Sequence, residues 1–201
     1  MIASIVVDYL KTSFPEDRTG IAFLYCTYKR RDNQEFDDLL ASLLGQLTLW
    51  QPMTPESIQK LYDKHLQGEK PRLSQDEIRE ELYRIMKAYT RIFIVIDALD
   101  ECKTDPIRDR LLSELYGLQE ESDIRLMVTF RPNIVPQTPS IVTTLEIRAH
   151  EEDIEEYLSS RMSDLRSVVK DNNELQLKIK AHILALVDGM YVRFHPLTVT
   201  C

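Results

Sequence analysis

Glycine is scarce in this chain. There are five in 201 residues, at positions 20, 45, 68, 117 and 189, and none is followed by lysine. The phosphate-cradling loop Gly-x-x-x-x-Gly-Lys-Ser/Thr is therefore not among these residues. Glycine-rich disordered and collagen-like chains are excluded too. Cysteine is nearly as rare: Cys26, Cys102 and Cys201 are odd in number and far apart in sequence. They form no Cys-x-x-Cys pair and no metal spacing, which reads as reduced thiols in a cytosolic protein. The four histidines, His65, His150, His182 and His195, are scattered without ligand spacing. No apolar stretch approaches the roughly 20 residues that span a bilayer, and no signal-peptide pattern opens the chain. Positive charge is in the minority. Lys and Arg number 25 against 33 Asp and Glu, a net charge of -8, which disfavours a broad nucleic-acid-binding face. The expectation is a cytoplasmic protein with neither nucleic acid nor membrane as a partner.

What is present suits a packed domain. Hydrophobic residues make up 43% and charged residues 29%, enough apolar surface for a full core at this length. Residues 2–14 read as a helix with Ile2, Ile5, Val6, Tyr9 and Leu10 on one side. A strand follows over 21–28. Phe36, Leu39, Leu40, Leu43, Leu44 and Leu47 then repeat at helical spacing. A short helix is predicted over 56–66. Ser74-Gln75-Asp76-Glu77 fits a capping box opening the next helix, and Asp105-Pro106 fits the N-cap and first-turn proline of another. Strands are predicted at 92–97, 124–130 and 141–147. Helices are predicted after Glu151-Glu152-Asp153, with Ile154, Tyr157 and Leu158 facing inward, and over 173–187. Strands alternating with helices predict an α/β layered domain with a mainly parallel sheet.

The most telling run is Arg91-Ile92-Phe93-Ile94-Val95-Ile96-Asp97-Ala98-Leu99-Asp100-Glu101. A continuous apolar stretch reads as a strand buried on both faces. It ends in three carboxylates, at the strand end where open α/β sheets bind ligands. That is the layout of a Walker B element, in which Asp97 would hold Mg²⁺ through a water and Asp100 and Glu101 would polarise an attacking water. The same string also describes an ordinary strand running into a solvated acidic turn. Arg131 ends the next strand, two residues after Thr129, where its guanidinium can reach a γ-phosphate; it is equally a surface arginine before a turn proline. Lys29, Arg30 and Arg31 form a short basic cluster after the first strand, read as a solvated loop or a phosphate contact.

Arg91 to Cys102 resembles the Walker B of NACHT-type signal-transduction NTPases, most of all those with nephrocystin-like N-terminal domains found in fungi. The resemblance extends outward. Ile21–Lys29 with Phe36–Leu47 is similar to that family's second strand and leucine-rich helix. Ile124–Pro132 is similar to its sensor strand, with Phe130 where serine is usual. Leu145-Glu146-Ile147 with Asp153–Leu158 resembles the exit from the NTPase core. The resemblance implies a partial P-loop NTPase of the ASCE type. The fold would be three-layered with a parallel sheet, lacking the first, P-loop strand and retaining Walker B and sensor 1. It implies ATP or ADP with Mg²⁺ as cofactors in the intact parent, bound by Asp97, Thr129 and Arg131, with Asp100 and Glu101 catalytic. It also implies homo- or hetero-oligomers with related NTPases and a role as a slow switch in fungal innate immunity.

On this reading residues 1–165 are a truncated NTPase core, 166–189 begin a helical region, and 190–201 are an atypical tail. In relatives the opening helix directly follows the P-loop, so Met1 falls just after it. Both ends are expected to be products of a gene model or of a degenerated gene. The chain by itself is expected to bind ATP very weakly or not at all. The sheet is expected to carry an empty slot between 124–130 and 141–147, with poor cooperativity unless the gap closes. The alternatives are a non-catalytic interaction module and a non-functional fragment.

Overall fold

The computed structural model describes residues 2–15, 18–29, 34–66, 73–102, 105–131, 143, 145–148, 150–165, 167–170, 172–187 and 191–197. Along the chain run α1 (Ile2–Ser13), β1 (Thr19–Tyr25), α2 (Phe36–Leu49), α3 (Glu56–Leu66), α4 (Gln75–Met86), β2 (Arg91–Asp97), a 3₁₀ turn (Leu99–Glu101), α5 (Asp105–Gln119) and β3 (Ile124–Phe130). Then come β4 (Leu145–Arg148), α6 (Glu151–Arg161), α7 (Ser167–Lys170), α8 (Asn173–Val187) and β5 (Tyr191–Leu197). The chain divides into two compact units, Met1–Leu145 with Phe194–Cys201, and Glu146–Arg193.

The first unit is built on parallel pairing. β1 pairs with β2 from Thr19 opposite Arg91 to Tyr25 opposite Asp97. β2 pairs with β3 from Ile92 opposite Ile124 to Ile96 opposite Val128. Ile92 to Ile96 are all buried, as expected of a central parallel strand covered on both faces. The alternation of side chains splits them between two layers. Ile92, Ile94 and Ile96 join Ala22, Leu24, Leu126 and Val128 under the buried leucines of α2, α4 and α5. Phe93 and Val95, with Ile21, meet α1 on the opposite face. The result is a helix–sheet–helix sandwich, the mixed α/β architecture expected.

Several local signals carry through, and some need correction. Ser74 caps α4 with a full capping box: its hydroxyl accepts the Glu77 N–H, and the Glu77 carboxylate accepts the Ser74 N–H. α2 buries Phe36, Leu39, Leu40, Leu43, Leu44 and Leu47, the six residues its periodicity selects. α5 runs from Asp105 itself, within one residue of the start that the Asp105-Pro106 signal predicts. α1 buries Ala3, Val7 and Leu10, whereas Ile5 and Tyr9 are 66% and 64% exposed. The buried stripe is i, i+4, i+7 from Ala3, because a small residue lets the helix approach Ile21, Phe93 and Val95. Of the expected side, Leu10 is buried and Val6 packs half-buried against the same cluster, whereas Ile2, Ile5 and Tyr9 face outward.

Next to β3 in the sheet stands β5, whose Phe194–Leu197 part lies in the first unit. The slot expected to be empty next to residues 124–130 is thus filled by a strand from the segment read as an atypical tail. The expected strand over 141–147 is present as Leu145–Arg148, residues 141, 142 and 144 lying outside the described ones.

The second unit is helical over α6, α7 and α8. Glu152 and Asp153 stand in the first turn of α6, where the helix dipole favours negative charge. Ile154 and Leu158 are half-buried, but Tyr157 is exposed; its ring faces the Arg161 guanidinium, 5.6 Å from the centroid, rather than a core. Among the described residues no helix is long and apolar enough to cross a membrane.

Candidate functional site

Because β1, β2 and β3 are parallel, their C-terminal ends share one edge of the sheet. Asp97 closes β2 there, half-buried. Thr129, 97% buried on the neighbouring strand, donates its hydroxyl to Asp97 Oδ1 at 2.7 Å. The same Thr129 oxygen accepts the N–H of Ala98 at 2.8 Å. One side chain thereby fixes both the carboxylate and the first peptide of the turn after it.

That turn is strained. Ala98 has φ 54° and ψ 50° and is the one non-glycine residue with positive φ among those described. An L-residue in this region costs roughly 1–2 kcal/mol, and such strain persists only where the surroundings over-determine it. Here Thr129 holds the Ala98 N–H, the Glu101 N–H closes onto the Ala98 carbonyl at 2.8 Å, and Leu99 is fully buried. The left-handed residue turns the chain sharply after Asp97, so that Asp100 and Glu101 return to the same edge.

Arg131 completes the cluster. Its backbone N–H donates to Asp100 Oδ1 at 3.2 Å. Its Nε lies 3.4 Å from Asp100 Oδ2, and its Nη2 lies 3.3 Å from Glu101 Oε1. The Asp100 side chain is only 7% exposed, against 67% for Arg131. Glu101 Oε2 in turn accepts the N–H of Tyr28 at 3.0 Å, from the loop after β1. All five residues singled out in the sequence, Asp97, Asp100, Glu101, Thr129 and Arg131, therefore meet at one sheet edge. Burial, then the charges of Asp97 and Asp8, push the nearby Tyr25 phenol up. Lys29 is exposed; Arg30 and Arg31, named with it as a basic cluster, lie outside the described residues.

Two features of this edge escaped the sequence. Cys26 and Cys102 are 76 residues apart in the chain, yet their sulfurs are 2.8 Å apart and buried. The hydrogen bond to Cys102, with burial, pushes the Cys26 thiol up; the same bond, with Arg108 nearby, pulls Cys102 down. The second is a pair of glutamines along β1. Gln46 accepts the Phe23 N–H at 3.0 Å and donates to the Phe23 carbonyl at 2.8 Å. Gln34 donates to the Tyr25 carbonyl at 3.1 Å and accepts the Thr27 N–H at 3.3 Å. These odd-numbered residues present their backbone groups away from β2, so the two amides stand in for a neighbouring strand.

Among the described residues no group of three or more His, Cys, Asp or Glu could hold a metal ion. Asp97 Oδ1 is engaged by Thr129, and Asp100 and Glu101 are engaged by Arg131. The donor set therefore fits one carboxylate contribution to a hydrated Mg²⁺, not a protein cage. No curated protein and no solved structure matches the chain. The family model described as nephrocystin 3, N-terminal matches residues 1–131, which runs from α1 to the last of the clustered side chains. That span is 131 of 201 residues, and the chain accordingly belongs to the nephrocystin 3 N-terminal family.

Proposed function

We propose that this chain carries the Walker B and sensor half of a nucleotide-dependent signalling ATPase of the NACHT type. Asp97, oriented by Thr129, would hold a hydrated Mg²⁺ that accompanies ATP or ADP. Asp100 and Glu101 polarise the attacking water. Arg131, now paired with Asp100 and Glu101, would contact a γ-phosphate and so report which nucleotide is present. The single observation behind this reading is the Asp97–Thr129 contact beside the Arg131–Asp100–Glu101 cluster at one strand edge. The switch would oligomerise with related NTPases.

A micromolar nucleotide site supplies about 8 kcal/mol, and in P-loop proteins much of it comes from backbone amides and a lysine on the phosphates. None of the five glycines here precedes a lysine, so these 201 residues are expected to bind Mg·ATP no better than about 1 mM, near 4 kcal/mol. The test is an NMR titration of the full 201-residue chain with Mg·ATP. Weak shifts confined to amides 97–101 and 129–131, abolished by Asp97→Asn or by chelating Mg²⁺, are expected. Shifts elsewhere, or micromolar affinity indifferent to Asp97, would overturn the assignment. The absence of a Gly-Lys pair also favours a second reading, a non-catalytic module that docks on an intact relative. Co-purification with such a relative, unaffected by Asp97→Ala, would select it.

A further inference from the structure

We propose that Cys26 and Cys102 form an oxidisable dithiol, which a small hydroperoxide converts into an intrachain disulfide joining the end of β1 to the turn carrying Asp100 and Glu101. The two sulfurs already touch at 2.8 Å, so bond formation near 2.05 Å needs an approach of under about 1 Å. Both backbones are held in place for it. The Cys26 N–H donates to the Asp97 carbonyl at 3.0 Å, and the Cys102 N–H donates to the Leu99 carbonyl at 3.2 Å. A further bond, Tyr28 N–H to Glu101, joins the same two segments. Each cysteine is 5% exposed, which shuts out bulky disulfide oxidants such as oxidised glutathione and admits an oxidant of about the size of water.

The chemistry balances with hydrogen peroxide as co-reactant. One thiol gives up its proton and its sulfur attacks a peroxide oxygen; an S–O bond forms, the O–O bond breaks, and the departing hydroxide takes that proton and leaves as the first water. The second sulfur then displaces the hydroxyl from that sulfenic acid, forming S–S and releasing the second water. Two thiols give up two electrons, and one peroxide is reduced to two waters. The neighbouring thiol is in place when the sulfenic acid forms, so condensation outruns further oxidation. The disulfide closes a loop spanning 76 positions without depending on the nucleotide reading.

The test uses the full chain carrying Cys201→Ser, treated with hydrogen peroxide and read by mass spectrometry after proteolysis without reductant. The expected product is a monomer lighter by two hydrogens, with the Cys26 and Cys102 peptides joined and separable by dithiothreitol. Its Tm should rise by roughly 5–15 °C over the reduced form. Cys26→Ser in the same background should instead stop at sulfenic or sulfinic acid on Cys102. Two free thiols after treatment, or pairing only once the chain is unfolded in urea, would overturn the proposal. So would sulfinic acid without cross-link in the chain that keeps both cysteines.

Discussion

Thr129 donates its hydroxyl to Asp97 at 2.7 Å from the adjacent strand, and the same oxygen receives the Ala98 amide at 2.8 Å. Parallel pairing of β2 and β3 makes this possible, because it carries both strand ends to the same edge. The acid is therefore held by a neighbouring strand and not only by its own turn.

Thr129→Val keeps the shape but removes the hydroxyl, leaving the part-buried Ala98 amide and one Asp97 oxygen without it. A loss of about 1–3 kcal/mol is expected in urea unfolding, with Thr129→Ser close to wild type. Equal stability of the valine and wild-type chains would mean that the hydroxyl does not hold the turn.

Ala98 stands at φ 54°, a region that glycine tolerates and β-branched residues do not. Ala98→Gly is expected to fold with stability near wild type, relief of strain offsetting the entropy of glycine. Ala98→Val is expected to lose roughly 1–2 kcal/mol beyond that. Thermal melts of the two variants side by side decide it; a valine variant as stable as the glycine one would show that the turn relaxes.

Gln46 covers both backbone groups of Phe23 on the open side of β1. Gln46→Leu keeps the bulk and removes both bonds. A loss of about 1–3 kcal/mol is expected, and the uncovered edge should promote chain-to-chain association. Light scattering and urea unfolding at two protein concentrations check this. A monomer of unchanged stability would mean that water replaces the amide at no cost.

Glu77 is pulled down to about 2 from its ordinary 4.5, first by Lys64 and then by the Ser74 N–H and hydroxyl. A depressed carboxyl stabilises the fold above its unfolded pKa, and that contribution fades as pH falls from 4.5 towards 2. The wild-type chain should therefore outlast Glu77→Gln in urea at pH 7, with the advantage disappearing near the acid end of that window. Ser74→Ala should cost about 1 kcal/mol at pH 7. An advantage of wild type over Glu77→Gln that is the same at both ends would exclude the carboxylate as its source.

How much was legible beforehand varies with the kind of signal. The leucine stripe of α2 and the capping box of α4 are local, so spacing alone identified them. That Asp97, Asp100, Glu101, Thr129 and Arg131 share one edge was also legible, because a parallel sheet sends every strand end to the same edge. The buried side of α1 was not, since the choice between Ala3-Val7 and Ile5-Tyr9 depends on how closely the helix approaches Phe93 and Val95. Nor was β5 beside β3, because a strand partner chosen across some 60 residues leaves no periodicity in either segment.

The sequence by itself determined the layered α/β class, the central strand Arg91–Asp97 and the acids that follow it. Apolar periodicity and turn residues act over a few positions, and each position is read directly. Only the tertiary structure decided that Thr129 grips Asp97, that Arg131 sits on Asp100 and Glu101, and that Cys26 meets Cys102. Those contacts depend on strand register and on a single left-handed residue, Ala98. They are properties of how distant segments pack, and spacing along one chain does not encode them.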